Sequence, residues 1–199
     1  MSKKYKFYQY DDQGRWISYW HQINEVLKLK PEDVLEIGIG NRTVSDCLKK
    51  HGLNVKTLDI DKNRNPDIIG NVESMSLKNN SFDLILCAEV LEHLPFEKFE
   101  QCLSELKRIS KRNVVLSLPH FGPQLKIRFK IPFIKEIKFA FKIPYHPKHK
   151  IGVHYWEIGK KGYSQNKIRN ILKKYFKIKK EFIPFENQYH HFYILEKWN

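Results

Sequence analysis

Short apolar segments alternate with longer amphipathic segments along the first 120 residues of the chain. Over residues 15–29 the apolar side chains recur every three or four positions, the spacing of one helix face, and Pro31 follows. Compact apolar runs between turn-forming residues predict strands. In chain order, the pattern predicts a helix over 15–29, a strand over 33–37, a helix over 43–51, strands over 55–59, 67–70 and 82–87, a helix over 96–110 and a strand over 113–118.

This alternation of strands and helices predicts an α/β fold, with a mostly parallel sheet and helices on both faces. Ligands of such sheets bind beyond the carboxyl ends of the strands. The helix over 15–29 is expected to bury Tyr19 and Trp20 in the core, although either ring could instead cover a bound ligand.

Residues 121–154 interrupt the alternation. Residues 125–131 alternate apolar and cationic side chains with period two, whereas the apolar spacing over 133–141 predicts a short helix. We expect an insertion whose apolar face packs on the domain as a lid. Its basic amphipathic character also permits contact with a membrane surface.

The last forty residues predict another helix over 163–175 and two strands over 176–185 and 189–198, joined by a turn at Glu186–Gln188. Such a terminal hairpin would add two antiparallel strands to the sheet. The predicted sheet then has seven strands.

The composition of the chain indicates where in the cell the protein is expected. No run of 18 apolar residues is present, and the polar N-terminal segment lacks the apolar stretch of a signal peptide. The three cysteines have no Cys-x-x-Cys spacing, so we expect buried free thiols in a reducing compartment. A cytoplasmic location is the expectation.

The net charge of +14 is distributed unevenly along the chain. Residues 1–119 are nearly balanced, whereas residues 120–199 contain 18 Lys and Arg against five Asp and Glu, a formal charge of +13. A one-sided basic field favours anionic partners such as phosphorylated small molecules, anionic lipid headgroups or nucleic acid. Compositional drift toward lysine is the alternative interpretation.

A glycine-rich turn follows the first predicted strand, in the arrangement Glu36-x-Gly38-x-Gly40. Glycines without side chains let backbone N–H groups and a helix N-terminus approach a nucleotide-like ligand closely. The spacing lacks the third glycine of a dinucleotide fingerprint and the Lys-Ser or Lys-Thr of a P-loop. The turn therefore belongs to another kind of nucleotide or nucleoside site, or to a generic strand-to-helix connection.

Polar residues stand at the ends of the next predicted strands. Asp59 ends the second strand about 20 residues beyond the glycines, where a carboxylate can accept hydrogen bonds from ribose hydroxyls, and Asp61 competes for that role. Asn71 follows the third strand and Glu89 the fourth. Topology alone places these side chains at one edge of the sheet.

These motifs, in this order and spacing, resemble those of class I S-adenosylmethionine-dependent methyltransferases, closely over residues 15–120. The resemblance implies a Rossmann-like fold, S-adenosylmethionine as cofactor and S-adenosylhomocysteine as product. It places Glu36, Gly38 and Gly40 at the methionine end, Asp59 or Asp61 at the ribose, Asn71 and Val72 at the adenine, and Glu89 near the cofactor. One departure is Arg42, which stands where the family often has a third glycine.

Within this interpretation we expect a single methyltransferase domain over residues 1–199. Its parts would be an N-terminal helical cap over 1–30, a cofactor-binding core over 31–120, a basic substrate-side insertion over 121–160, and a final helix and strand hairpin over 161–199.

Methyl transfer from a sulfonium is an in-line displacement that depends mainly on proximity and alignment. A general base helps when the acceptor is a hydroxyl or a protonated amine. His154 and His120 are the catalytic candidates, and structural or substrate-positioning roles are the alternative. No His-x-x-x-His or Cys/His ligand spacing occurs, so no metal site is expected.

The basic C-terminal segment favours an anionic small molecule or a surface-glycan precursor as the methyl acceptor. An RNA methyltransferase is the alternative enzyme, although the chain lacks the Asn/Asp-Pro-Pro-Tyr/Phe motif of amino-methylating nucleic-acid enzymes. A catalytically silent methyltransferase-like module that binds a partner or an anionic membrane is the third hypothesis. The intact Glu36, Gly38, Gly40 and Asp59 argue against lost cofactor binding.

Overall fold

A computed structural model describes residues 11–198 of the chain. Within this range the order of elements follows the predicted alternation up to residue 119. The elements are α1 (Gln13–Leu29), β1 (Asp33–Ile37), α2 (Thr43–Lys50), β2 (Asn54–Asp59), β3 (Ile68–Ile69), β4 (Phe82–Ala88), α3 (Phe99–Ile109), β5 (Ser110–Pro119), β6 (Gln124–Phe129), β7 (Ile137–Lys142), α4 (Gln165–Tyr175), β8 (Phe176–Phe182) and β9 (His190–Lys197).

Seven strands form one sheet in the order β3-β2-β1-β4-β5-β9-β8. The first five strands are parallel to one another. At one side of them, β9 pairs antiparallel with β5, and β8 pairs antiparallel with β9. This confirms the predicted α/β fold, the seven strands and the C-terminal hairpin. The carboxyl ends of β1, β2 and β4 therefore meet at one edge, together with the start of β9.

Two apolar clusters cover the two faces of the sheet. Helices α3 and α4 bury Leu103, Leu106, Ile168 and Leu172 on one face. Helices α1 and α2 bury a smaller group on the other face, which includes Tyr19, Val26, Val44 and Leu48. Because both faces are covered, the inner strands read as continuous apolar runs, as expected for a parallel sheet.

Helix α1 begins at a side-chain cap and ends in a left-handed residue. Asp12 accepts a hydrogen bond from the backbone N–H of Arg15 at 2.8 Å, and Lys30 adopts φ 50° before Pro31. Tyr19 is buried, as predicted, but Trp20 is 60% exposed, so its predicted core position is wrong. Polar pairs occupy the buried face instead: Ser18 with Gln22, and Glu25 with Lys180.

The insertion is a two-stranded antiparallel hairpin formed by β6 and β7. The predicted helix over 133–141 is wrong because Ile137, Phe139 and Phe141 also fit a period of two, and pairing with β6 satisfies the backbone of both strands. The predicted packing of its apolar face on the domain is wrong as well. The apolar side chains face outward and are 36–59% exposed, at positions Leu125, Ile127, Phe129, Ile137, Phe139 and Phe141.

The chain returns to the sheet edge through Trp156, which is fully buried. Its indole N–H donates to the carbonyl of Leu94 at 3.2 Å, and its ring lies 5.0 Å from those of Phe96 and Phe99. His120 and Ile158 then pair in a parallel bridge. This anchor fixes the position of the residues just before it, including His154.

No helix in the described part of the chain is both long enough and apolar enough to cross a lipid bilayer.

Candidate active site

The glycine turn after β1 uses left-handed backbone at both glycines. Gly38 has φ +76° and Gly40 has φ +51°, values that L-residues with a β-carbon rarely adopt. The N–H of Gly38 donates to the carbonyl of Leu58 at 2.9 Å, which ties the turn to β2. A β-carbon at Gly38 would collide with Cγ2 of Val90, in the loop after β4. The turn therefore needs glycine for its conformation and for close contact with that loop.

Arg42 occupies the position where the family often has a third glycine. It also adopts a left-handed conformation, with φ 71°, immediately before α2. Its guanidinium donates to the carbonyls of Asn65 at 2.6 Å and Arg64 at 3.4 Å. The side chain thus joins the turn to the loop after β2.

Asp59 is buried at the carboxyl end of β2, with its carboxylate oriented by three donors. It accepts hydrogen bonds from the backbone N–H of Ile39 at 3.2 Å and of Asp61 at 2.9 Å, and it pairs with Arg64 at 3.2 Å. Asp61 is more exposed and caps the short turn Lys62–Arg64. Both predicted ribose ligands therefore lie at the expected strand end.

Glu36 is buried on β1, and burial raises the pKa of its carboxyl to about 8, against the opposing influence of Ser45. Its Oε2 has no hydrogen-bond partner among the described residues. A buried acceptor without a donor is costly unless a ligand supplies one. The ammonium group of a bound methionine moiety is a donor of the required kind.

Asn71 and Val72, the predicted adenine contacts, follow β3. The Asn71 amide donates to Glu73 at 2.8 Å and accepts from the Glu73 N–H at 3.0 Å, which closes a local turn. Val72 is buried within the larger apolar cluster. The pair lies at the sheet edge, with the Asn71 side chain already engaged.

Glu89 leaves β4 in a left-handed conformation with φ 54°, unusual for a residue with a β-carbon and frequent at functional sites. Ser117 donates to its Oε1 at 2.8 Å, and His190 Nε2 lies 3.6 Å from its Oε2. Burial raises the pKa of the Glu89 carboxyl to about 8. It is therefore protonated over much of the neutral range unless a cation approaches.

His154 lies in a group of polar side chains beside Glu89. Its Nδ1 is 3.0 Å from Oε1 of Glu157, which also accepts a hydrogen bond from the Tyr189 hydroxyl at 2.7 Å. Its ring lies 5.0 Å from that of His93, and its Nε2 is 4.0 Å from Glu92. The structure thus brings a predicted catalytic residue into a cluster that also contains carboxyl groups.

His120 belongs to a different group of contacts. Its ring stacks on His191 at 5.1 Å, and His191 Nε2 lies 2.9 Å from Glu181. Burial, followed by the neighbouring His191, lowers the pKa of His120 to about 3. His120 lines a cavity of about 570 Å³ beneath the hairpin, which also contains Lys138, Lys142 and Arg169. The roles of His154 and His120 in catalysis stay predictions.

Sequence reasoning missed several members of the cluster around Glu89. They are Glu92, Glu157, Tyr189 and His190, and the motif that contains His93 indicates only a structural role for it. The Glu89-x-x-Glu92-His93 spacing was the available signal, since all three residues lie within five positions in the loop after β4, Glu92 and His93 on its short helical turn. Glu157 stands three residues after His154, whereas Tyr189 and His190 come from a distant segment and carry no local signal.

Residues 35–118 match a family model described as a methyltransferase domain. The fold is similar to that of the PH0226 protein from Pyrococcus horikoshii OT3, with 14% identity, a TM-score of 0.59, and coverage of 94% of this chain and 93% of that one. It is also similar to magnesium protoporphyrin IX methyltransferase from Synechocystis PCC 6803 with bound S-adenosylmethionine, with 18% identity, a TM-score of 0.60 and coverage of 93% and 80%.

A third similar structure is 1,6-didemethyltoxoflavin-N1-methyltransferase from Burkholderia thailandensis, with bound 1,6-didemethyltoxoflavin and S-adenosylhomocysteine. It shares 12% identity and a TM-score of 0.61, over 95% of this chain and 80% of that one. No curated protein sequence matches the chain significantly. At these identities the solved structures establish a shared fold, and the family model extends the relationship to the sequence of the core.

Proposed function

Because the chain is a class I S-adenosylmethionine-dependent methyltransferase, we propose that it methylates a hydroxyl oxygen of an anionic small molecule or a surface-glycan precursor. When bound, S-adenosylmethionine supplies a methyl group on a positively charged sulfur, and S-adenosylhomocysteine is the product. The acceptor and the residues that serve it are the proposed part.

The residues at the edge of β1 and β2 support the placement of the cofactor. The left-handed glycine turn exposes backbone next to α2, and Glu36 offers an unsatisfied buried acceptor. The Asp59 carboxylate is held in place by backbone donors at the end of β2. Glu36 would hold the methionine end, and Asp59 the ribose. Asn71 would lie beside the adenine.

One observation carries the proposal of a hydroxyl acceptor: acidic and imidazole side chains crowd the carboxyl end of β4. Glu89, Glu92 and His154 lie there, with Glu157 and Tyr189 behind them. A hydroxyl becomes a competent nucleophile as it loses its proton, and the cluster offers two acceptors for that proton: the imidazole of His154 and, when a cation approaches it, the carboxylate of Glu89. The new bond joins the methyl carbon to the acceptor oxygen as the carbon–sulfur bond breaks, and the proton passes to the cluster.

The proposal that the substrate is anionic is supported by the residues that line the cavity beneath the hairpin. The cavity beneath the hairpin is lined by Lys138, Lys142 and Arg169, and the segment from residue 120 onward carries a formal charge of +13. A phosphate or carboxylate is favoured in such surroundings. Related folds act on magnesium protoporphyrin IX and on 1,6-didemethyltoxoflavin, so the scaffold accepts acceptors of very different shape.

The test is transfer of radiolabelled methyl from S-adenosylmethionine into separated classes of acceptor. Purified protein is incubated with sugar phosphates and nucleotide sugars, with neutral sugars, and with total RNA. Label that stays on the sugar after phosphodiesterase and phosphatase have removed the phosphate, and that is stable to base, supports the proposal. Label confined to RNA overturns the substrate assignment. Absence of S-adenosylhomocysteine binding by calorimetry overturns the assignment of the cofactor residues.

A further inference from the structure

Glu92 is a fully buried carboxylate at the turn after β4, and neither of its oxygens has a hydrogen-bond partner among the described residues. A buried carboxyl group left without a donor is costly, and such groups point to a missing partner.

Two imidazoles approach the same oxygen of this carboxylate. His93 Nε2 and His154 Nε2 each lie 4.0 Å from Oε1 of Glu92. The other ring nitrogens are engaged: His93 Nδ1 is 2.9 Å from the carbonyl of Val153, and His154 Nδ1 is 3.0 Å from Glu157. A carbonyl and a carboxylate only accept hydrogen bonds, so each Nδ1 carries the proton and each Nε2 presents a lone pair.

The two Nε2 lone pairs and the carboxyl oxygen of Glu92 therefore converge, and the ligand atoms of the three residues all lie within 4.8 Å of one another. The separations of 4.0 Å are too long for a hydrogen bond from a protonated Glu92. We propose that Glu92, His93 and His154 bind a divalent metal cation, and that this cation receives oxygen atoms of the methyl acceptor in its remaining positions.

The distances fit such a site after small movements. Ligand atoms about 2.1 Å from one ion are separated by about 3 Å when adjacent and about 4.2 Å when opposite. Each imidazole therefore needs to move toward Glu92 by no more than about 1 Å. The hydrogen bonds at the two Nδ1 atoms are those that orient metal-binding histidines and make them more basic. The segment that presents His154 is anchored by the buried Trp156.

The donor set indicates the kind of cation and acceptor. Two imidazoles with carboxylate suit borderline divalent ions such as Mn²⁺, Fe²⁺ or Zn²⁺, and the buried Glu89 adds a second acidic group nearby. A metal-bound hydroxyl loses its proton more easily than a free one, and Glu89, ionised beside the cation, would accept that proton. Resting on the proposed function, this assigns to the site acceptors with two adjacent oxygens, such as vicinal diols, and makes His154 a metal ligand.

The test is binding of Mn²⁺ alone. Calorimetry and the loss of the free-Mn²⁺ electron paramagnetic resonance signal both measure it. Wild-type protein is expected to bind one ion per chain, and Glu92→Gln and His154→Gln are expected to weaken binding at least about tenfold. His51→Gln, on the exposed end of α2, is the matched control and should bind as wild type does.

Binding of S-adenosylhomocysteine by each variant shows that the fold and the cofactor site are intact. No Mn²⁺ binding at millimolar metal, together with none for Zn²⁺ or Mg²⁺, overturns the metal site while leaving the methyltransferase assignment in place. Unchanged affinity in both Glu92→Gln and His154→Gln overturns it as well. Failure of the wild-type protein to bind S-adenosylhomocysteine would instead count against the proposed function.

A second inference rests on the hairpin of β6 and β7, whose two faces differ completely. The face toward the body is cationic: Lys138 pairs with Glu186 at 2.8 Å, Lys126 donates to the Glu186 carbonyl at 3.2 Å, and Lys142 donates to the carbonyl of His120 at 2.6 Å. The outward face is apolar and continues into the turn, where Phe133 is fully exposed. Contiguous exposed apolar surface of this kind marks an interaction site.

The charged residues around the outward face of the hairpin indicate which kind of partner it binds. Residues 120–154 contain eight Lys and Arg residues and one acidic residue, Glu136. Lys126, Lys138 and Lys142 face the body, whereas Lys130, Lys135, Lys148 and Lys150 are exposed. Lys130 and Lys135 are exposed and flank the apolar residues of the turn, so both would be available to anionic headgroups if those residues entered a bilayer. Apolar insertion combined with a cationic rim is the pattern of peripheral attachment to anionic membranes. We infer that the hairpin face docks on an anionic lipid bilayer.

Flotation with vesicles tests this attachment. Vesicles of phosphatidylcholine with phosphatidylglycerol should carry about tenfold more protein than phosphatidylcholine alone, and high salt should reduce the difference. The Phe133→Ser/Phe139→Ser variant should stay in the bottom fraction, whereas Trp198→Ser, which alters an exposed aromatic side chain elsewhere, should float as wild type does. Circular dichroism and S-adenosylhomocysteine binding establish that each variant is folded.

Equal flotation of wild type and the Phe133/Phe139 variant overturns the inference. So does a concentration-dependent dimer in light scattering that the same variant abolishes while no protein floats, because the face would then bind a second copy. Salt-sensitive binding to RNA without flotation overturns it too.

Discussion

Gly38 lies so close to the Cγ2 methyl of Val90 that no β-carbon fits between them. One residue belongs to the turn after β1, and the other immediately follows Glu89 in the loop after β4. The two loops that carry the proposed cofactor and acceptor residues are thus in direct contact. The contact therefore fixes the spacing between the turn after β1 and the loop after β4.

Replacing Gly38 by Ala is expected to destabilise the fold through both backbone strain and collision with Val90. Gly52 is the matched control, since it has φ +85° but no neighbouring atom within 4 Å of the point that a β-carbon would occupy. Gly52→Ala should cost about 1–2 kcal/mol from its left-handed backbone, and Gly38→Ala about 1–3 kcal/mol more. Urea unfolding measures both, and equal losses would contradict the role of the contact.

Replacing Asp59 by Ala is expected to weaken S-adenosylhomocysteine binding by about 1–3 kcal/mol, because charge-assisted hydrogen bonds to the ribose are lost. Asp61→Ala is the matched variant at the same strand end. Calorimetry compares the two variants. A larger loss for Asp61→Ala would transfer the ribose role to Asp61. Affinity unchanged in both variants would remove the role from this strand end.

The buried carboxyl of Glu36 makes the stability of the protein depend on pH. In the unfolded chain it releases its proton near pH 4.5, whereas burial keeps it protonated in the fold up to about pH 8. Between these values the folded state binds more protons, so the free energy of unfolding falls as pH rises. Glu36→Gln should therefore be more stable than wild type at pH 8 by about 2–4 kcal/mol, and the difference should vanish below about pH 4.5.

Asp83 is the control for Glu36, because its pKa is shifted in the opposite direction. Its carboxylate accepts the backbone N–H groups of Glu32 and Asp33 at 3.0 Å and pairs with Lys111. The hydrogen bond from the Asp33 N–H, which outweighs the opposing effect of burial, lowers the pKa of Asp83. The stabilisation from Asp83 is present above its unfolded pKa and is lost as pH falls through the folded value. Asp83→Asn should therefore destabilise the protein at neutral pH. Thermal unfolding from about pH 4 to 9 compares both variants, and parallel curves would contradict the assignment.

Replacing the buried Trp156 by Ala is expected to cost about 3–5 kcal/mol, since a large cavity forms against Phe96 and Phe99. Trp198→Ala, at a half-exposed position, should change stability by less than about 0.5 kcal/mol. Chemical denaturation measures both. Trp156→Phe keeps most of the packing and should recover much of the loss, which separates packing from the indole hydrogen bond.

Local pattern was sufficient for the parallel half of the fold. Strand β1 matches its predicted range of 33–37, and the glycine turn, Asp59 and Glu89 lie at the predicted strand ends. These features follow from short-range chemistry: apolar runs buried on both faces, and turns that need glycine.

The remaining features depend on contacts between distant segments. The period of residues 133–141 fits a helix and a strand equally well, and only pairing with β6 decides between them. Trp20 has helical core spacing, yet Glu25 and Lys180, 155 residues apart, direct a polar face inward. The Glu92–His154 approach likewise joins residues that no local spacing relates.

The hairpin leaves the sheet at His120 and returns beside it at Ile158, where the two residues pair. Because this segment starts and ends at one closed base, its exposed part, the hairpin of β6 and β7, can change in length and sequence without shifting the register of any strand in the seven-stranded sheet, whereas His154 and Trp156 near its end stay in place. Selection can therefore exchange the surface that meets the environment while leaving methyl-donor binding untouched. Such a division allows one ancestral scaffold to diversify by replacing a single appendage.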